Sequence, residues 1–299
     1  AEYALGQAIQ FNPGYVSAWV NRATVRATRR NFKGAASDYR AALERDPDHV
    51  VAWCSLGSSL HELGLPAEAI QAYTRAHELR PSWTLPLTLR AKVHRAKGRV
   101  EPALADYVAA ARLGPREAAT QGELGLYLAE LERHAEAIRA FDRMIALEPL
   151  APAYFFRGNS YASLGRKQEA LADYERALAV DPNHYQAHLN RGYTLSDLGR
   201  AREARAAFDR TITLQPGLPE AWCNRSLTRL EEGDAEGAAL DALEAIRLRP
   251  GYGNAYKNLA MARQKLGDLD GARAAYDAGL EANPRSESLL VLRGDLRAK

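Results

Sequence analysis

Apolar side chains recur along this chain at helical spacing, and they do so in pairs of segments. Trp53, Leu56 and Leu60 lie three and four residues apart, as do Ala69, Tyr73 and Ala76, so each set falls on one face of a helix. An apolar stripe on each of two consecutive segments predicts two amphipathic helices packed together. The punctuation repeats as well. Prolines stand at Pro13, Pro47, Pro81, Pro115, Pro149, Pro182, Pro216, Pro250 and Pro284, 34 residues apart at every step but one of 33. Glycines keep the same beat at Gly64, Gly98, Gly165, Gly199, Gly233 and Gly267, where a residue that tolerates positive φ ends one helix before the next begins. Each unit reads as helix, glycine turn, helix, proline stop.

A column of small residues (Ala69, Ala103, Ala137, Ala170, Ala204, Ala238, Ala272) is followed four residues later by a ring at Tyr73, Tyr107, Phe141, Tyr174, Phe208 and Tyr276. Small residues let helices approach, and rings fill the space between them. Together with the string WCSLGSSLHELG and its continuation AEAIQAYTRAHELRP, these columns resemble the tetratricopeptide repeat. The resemblance covers eight full repeats at 16–49, 50–83, 84–117, 118–150, 151–184, 185–218, 219–252 and 253–286. A partial repeat (second helix only) occupies 1–15, and a C-terminal capping helix is expected at 287–299. Arg30 and Glu132 stand in place of the turn glycine, Ala242 replaces the ring, and Pro86 and Pro102 sit near helix starts, where proline is tolerated.

The resemblance implies an all-α fold, a right-handed α-solenoid superhelix of helix-turn-helix repeats. First helices would line the concave inner wall and second helices the outer one. A two-helix unit cannot bury its own apolar face, so repeats lean on their neighbours and exposed ends must be polar. The closing RGDLRAK suits that need, whereas Tyr3, Leu5, Ile9 and Phe11 do not. Those residues point to further protein at that end or to a homo-oligomer formed through the N-terminal helix.

Composition narrows the function classes little. With 46% hydrophobic and 26% charged residues the chain is a folded protein, and 40 basic against 37 acidic side chains leave a formal charge of only +3, which gives no global reason for a nucleic-acid or membrane partner. No apolar run of about 18 residues and no signal peptide is visible, so a cytoplasmic location is the expectation. The chain lacks an initiating Met and reads as an excised piece of something longer. Cys54 and Cys223 have neither disulfide nor metal spacing and read as small buried hydrophobes.

Superposing the repeats separates two polar columns on the first helices. One holds Arg22, Leu56, Arg90, Leu124, Arg157, Arg191, Arg225 and Leu259; the residue before the ring runs Asp38, Ala72, Asp106, Ala140, Asp173, Ala207, Asp241 and Ala275. Four of five arginines come with an aspartate and every leucine with an alanine. A half-buried guanidinium needs a carboxylate, whereas leucine needs only a small apolar neighbour. Structural pairs Arg22–Asp38, Arg90–Asp106, Arg157–Asp173 and Arg225–Asp241 are therefore expected, with Arg191 borrowing Asp173 from the preceding repeat.

The other column, Asn21, Ser55, Leu89, Glu123, Phe156, Asn190, Asn224 and Asn258, lies one residue earlier and so about 100° round the helix. In the family this slot opens on the groove. An amide both donates and accepts, as an extended peptide requires, so Asn190, Asn224 and Asn258 would form a ladder of the kind that the arm of O-linked N-acetylglucosamine transferases uses. A wet inner face bonding the adjacent repeat would contain the same residues. Phe155, Asn159, Leu189, Tyr193, Asn254, Lys257, Met261 and Lys265 share the inward register, although Phe155 and Tyr193 also suit inter-helix packing. The family's carboxylate clamp is not matched beyond Lys257 and Asn258. Lys92 and Arg95, in RAKVHRAKGR, are expected to face inward, where an acidic peptide segment or phosphate could meet them, but Glu123, Glu130, Glu132 and Glu136 follow in the next repeat and favour a locally neutralised surface.

No P-loop, GxSxG, HExxH or EF-hand string occurs, and His184 and His188 lack further ligands for a metal. No cofactor, metal or catalytic residue is expected, and RNA is disfavoured because the basic residues are not interleaved with exposed aromatics. The leading expectation is a scaffold, not an enzyme, that holds a protein or peptide partner in its groove. The alternatives are the substrate-presenting arm of a larger glycosyltransferase and a self-associating module.

Overall fold

The computed structural model describes residues 1–297, so positions 298 and 299 of the expected capping helix lie outside the described residues. After α1 (Glu2–Phe11) the chain alternates first and second helices. The first helices are α2 (Val16–Thr28), α4 (Val50–Glu62), α6 (Leu85–Ala96), α8 (Ala118–Glu130), α10 (Ala151–Ser163), α12 (Tyr185–Asp197), α14 (Pro219–Glu232), α16 (Gly253–Lys265) and α18 (Glu287–Arg297). The second helices are α3 (Phe32–Arg45), α5 (Pro66–Leu79), α7 (Val100–Leu113), α9 (His134–Leu147), α11 (Lys167–Val180), α13 (Ala201–Leu214), α15 (Ala235–Leu248) and α17 (Leu269–Ala282). The fold is an α-solenoid built as two compact units, one of residues 1–148 and one beginning at Pro149.

Within each unit every helix packs on its sequence neighbours, and most first helices of successive repeats also approach one another, as α2 does α4 and α12 does α14. Among the described residues the second helices make no comparable approach. They splay apart, leaving grooves between them whose floor is the intervening first helix. The first helices thus form an inner face of each unit and the second helices an outer one. The small column is fully buried at Ala69, Ala170 and Ala204, and the rings of Tyr73, Tyr174 and Phe208 are buried against it.

The turn between paired helices needs one left-handed residue. Glycine supplies it at φ 65° to 87° in six repeats, and Arg30 (φ 60°) and Glu132 (φ 58°) adopt the same conformation. A side chain there costs about 1–2 kcal/mol, partly offset by the extra freedom glycine gives the unfolded chain. Arg30→Gly and Glu132→Gly should therefore each stabilise the first unit by about 0.5–1 kcal/mol, read as a rise in melting temperature.

The arginine column plugs the outer grooves. Arg22, Arg90, Arg157 and Arg225 each donate from Nε and Nη2 to both oxygens of Asp38, Asp106, Asp173 and Asp241, at 2.6–2.8 Å. All four aspartates are buried. The arginines also reach backward. Arg225 Nη1 donates to Asp209 at 2.7 Å, Arg90 Nη1 to Thr74 at 2.8 Å, and Arg293 Nη1 to Asp277 at 2.9 Å. This backward reach corrects the expectation for Arg191. Its partner is Glu175 at 3.5 Å, not Asp173, because a partner in the preceding repeat must lie sixteen residues back, and Glu175 holds that place.

A second column is tied to the proline stops. Trp19, Trp53 and Trp222 donate Nε1–H to the carbonyls of Pro13, Pro47 and Pro216 at 2.7–2.9 Å, and His188 Nε2 does so to Pro182 at 3.0 Å. Burial, with Arg210, Arg191 and His184 nearby, holds the His188 pKa below its ordinary value of 6.5. The folded state thus favours neutral imidazole, and this site's contribution is complete above pH 6.5 and lost as pH falls below it. His188→Trp keeps the bond to the proline and removes the proton, so the variant should lose less stability than the parent between pH 7 and pH 5 in urea titrations.

Candidate functional site

The inner face of the second unit presents a hollow between α10 and α12. It measures ≈ 330 Å³ and is lined by Asn159, Ala162, Ser163, Tyr174, Asn190, Tyr193, Thr194 and Asp197. Helical spacing assembles it: Asn159 and Ser163 are four residues apart on α10, as are Asn190 and Thr194, and Tyr193 and Asp197, on α12. At its centre Asn159 Oδ1 accepts from Tyr174 Oη at 2.9 Å and from Asn190 Nδ2 at 2.8 Å. That bond uses one of the two N–H donors of Asn190. Tyr193 packs edge-on against Phe208, with ring centres 5.7 Å apart. Burial pushes its phenol up to about 12, so it stays protonated at neutral pH.

The asparagine column divides by depth. Asn21 is exposed on α2, and Asn190 and Asn224 are half-buried. Asn224 Nδ2 donates to the Glu220 carbonyl of its own helix at 2.6 Å, with the Tyr193 hydroxyl at 3.5 Å. Asn258 does not reach the groove. It is 2% exposed and donates to the carbonyl of Cys223 in the preceding repeat at 2.9 Å, because α16 lies closer to α14 than other successive first helices do to each other. The expected three-rung ladder is therefore reduced to Asn190 and Asn224.

Other inward candidates are structural. Lys265 Nζ caps α14 by donating to the Leu230 carbonyl at 2.8 Å, which removes it from the groove. Phe155 is half-buried against the core of Ala151, Ala177 and Ala187, with its ring 4.7 Å from that of His184, so it packs repeats together. Leu189 and Met261 pack similarly. Asn254 is exposed and Lys257 half-buried on α16. Lys92 pairs with Glu123 at 2.6 Å and Arg95 with Glu130, so the acidic residues of the next repeat neutralise this cluster, the alternative to an anion site that their order in the sequence favours.

Ser163, Thr194, Asp197 and the Tyr174 hydroxyl were not legible as site residues. The available signal was spacing: Ser163 and Asp197 occupy one column, a helical turn beyond Asn159 and Tyr193. Cys54 and Cys223 are buried, and burial raises their thiols to about 12 and about 11, so neither is a nucleophile at neutral pH. Among the described residues no group of His, Cys, Asp or Glu is placed to hold a metal ion, and no helix is long and apolar enough to cross a membrane.

The tetratricopeptide repeat family model matches residues 3–82, 88–152, 157–219, 191–253 and 257–299. Among curated proteins, a probable UDP-N-acetylglucosamine–peptide N-acetylglucosaminyltransferase SPINDLY from Hordeum vulgare is 24% identical over 54% of this chain and 18% of its own length. Anaphase-promoting complex subunit 3 of Schizosaccharomyces pombe is 21% identical over 59% of this chain and 27% of its own. The chain thus spans a minor part of these relatives. Among solved structures, YrrB, described as a TPR protein with an unusual peptide-binding site, superposes with TM-score 0.55 at 23% identity over 63% of this chain and 97% of that one. The Cut9–Hcn1 assembly aligns with TM-score 0.57 at 15% identity over 99% of this chain and 58% of that one. These likenesses concern the fold. The repeat columns, the alternating helices and the family match agree: the chain belongs to the tetratricopeptide repeat family.

Proposed function

We propose that this chain is a non-catalytic protein-interaction scaffold that holds an extended segment of a partner protein on the inner face of its second unit. The observation that carries the reading is the hollow between α10 and α12, where Asn159, Asn190, Ser163, Thr194 and Asp197 bring donors and acceptors together beside the ring of Tyr193. An extended backbone offers alternating N–H and C=O groups, and side-chain amides meet both. Family membership supports the general role, and the solved relative described as having a peptide-binding site supports the kind of ligand.

The test is capture of partners by the intact chain against the double variant Asn190→Ala, Ala162→Trp, which removes an amide and fills the hollow. We expect roughly tenfold weaker retention, since losing 1–2 kcal/mol of bonding has that effect, with helicity unchanged. Undiminished retention would refute the reading. Alanine at Asn258 is unsuitable here, because it removes a buried bond between α16 and α14 and lowers stability. A second reading, a substrate-presenting arm of a larger glycosyltransferase, is favoured by the barley relative. A full-length gene without a transferase domain would end it.

A further inference from the structure

The arginine column fills the outer grooves, and the second and fourth repeats, which carry leucine and alanine instead, leave them open. Two hollows of the first unit lie at equivalent places, two repeats apart. Between the first and second repeats Leu43, Trp53, Leu56, Leu60 and Ala72 form the floor, beneath Arg40, Glu44 and Glu68. Between the third and fourth repeats Leu104, Val108, Leu124, Leu128 and Ala140 form it, beneath Arg133, Arg139, Arg143 and Glu136 of the fourth. The two rims differ in charge. The former carries one arginine and two glutamates, with Arg40 bonded to Glu68 at 2.7 Å. The latter carries three arginines and one glutamate, which Arg133 engages at 2.6 Å and Arg139 approaches at 3.8 Å. Arg139 and Arg143 are exposed.

We infer that the outer hollow of the fourth repeat docks an acidic segment of a partner protein that seats one large aliphatic side chain. The hollow holds ≈ 120 Å³, near the volume of about 150 Å³ that accommodates a benzene ring in an apolar cavity. Burying one such side chain supplies the anchor, and the rim of net charge +2 (three arginines less one glutamate) selects carboxylates around it. An acidic partner is disfavoured in the second repeat, where the rim is net negative. The site lies in the other unit from the amide hollow and shares no residue with it, so each fails or stands alone.

The same sequence supplies the way to close it. Leu124→Arg with Ala140→Asp installs the plug that the third repeat uses in Arg90 and Asp106, and Arg139→Glu with Arg143→Glu reverses the rim without touching the floor. The probe is a fluorescein-labelled helical peptide of leucines and glutamates, read by anisotropy, with a lysine-for-glutamate and a serine-for-leucine counterpart. The acidic leucine peptide should bind, and each double variant and each counterpart peptide should weaken binding at least tenfold, whereas Asn190→Ala should leave it unchanged. Equal binding of the glutamate and lysine peptides, undiminished binding to the plugged chain, or no binding at all would overturn the proposal. Matching circular dichroism spectra establish that the variants are folded.

Discussion

Asp106→Ala should destabilise the first unit by about 3 kcal/mol, and adding Arg90→Leu should recover most of that loss. Asp106 is buried and takes both of its strong bonds from Arg90, at 2.8 and 2.6 Å, while the Arg90 side chain is only 19% exposed. Removing the carboxylate leaves a partly desolvated guanidinium with the Thr74 hydroxyl as its remaining polar partner there, and an uncompensated charge is the costly outcome. The double variant replaces the pair by Leu and Ala, the combination that the second and fourth repeats carry at Leu56 with Ala72 and Leu124 with Ala140. For a unit of this size the single change should lower the melting temperature by roughly 6–12 °C. A double variant as unstable as the single one would show that the column is not a pair of interchangeable packing solutions.

The second large effect concerns a close approach. A Cβ at Gly192 would stand 2.5 Å from Cε1 of Phe208, a fully buried ring. Yet the equivalent slots hold Ala23, Ala91 and Ala260 opposite Tyr39, Tyr107 and Tyr276, so a ring can move aside for one methyl. Gly192→Ala should cost about 1 kcal/mol and Gly192→Val about 3 kcal/mol, the upper part of the overpacking range, because a branched side chain cannot be met by tilting the ring alone. Urea unfolding of the two variants measures the gap. Equal midpoints would mean that the ring is not what limits this position.

These effects explain what the sequence could and could not convey. Helices, turns and stops were legible because a short repeat copies each local rule many times, and the arginine–aspartate pairs were legible because two columns change together. The backward partners of those arginines were missed. They lie sixteen residues before the arginine, as Asp209 does before Arg225, in a column where Thr74, Glu175, Asp209 and Asp277 precede arginines and Val108 and Leu243 precede leucines. That covariation crosses the repeat boundary and is invisible when columns are compared only within a repeat. The asparagine column gave the face but not the depth. Whether an amide opens on the groove or turns into the preceding repeat depends on how closely two first helices approach, and α14 and α16 approach enough to bury Asn258. The outer hollows were implicit in the leucine–alanine pairs but needed the splay of the second helices to become space.

The surface proposed to hold a partner protein is the amide-lined inner face of the second unit. Hydrogen–deuterium exchange of the chain, with and without a partner whose capture Asn190→Ala with Ala162→Trp weakens about tenfold, tests this placement. Exchange should slow in α10, α12 and α14 on binding, with α11 and α13 unchanged. Slowing confined to the second helices, or to the first unit, would contradict it.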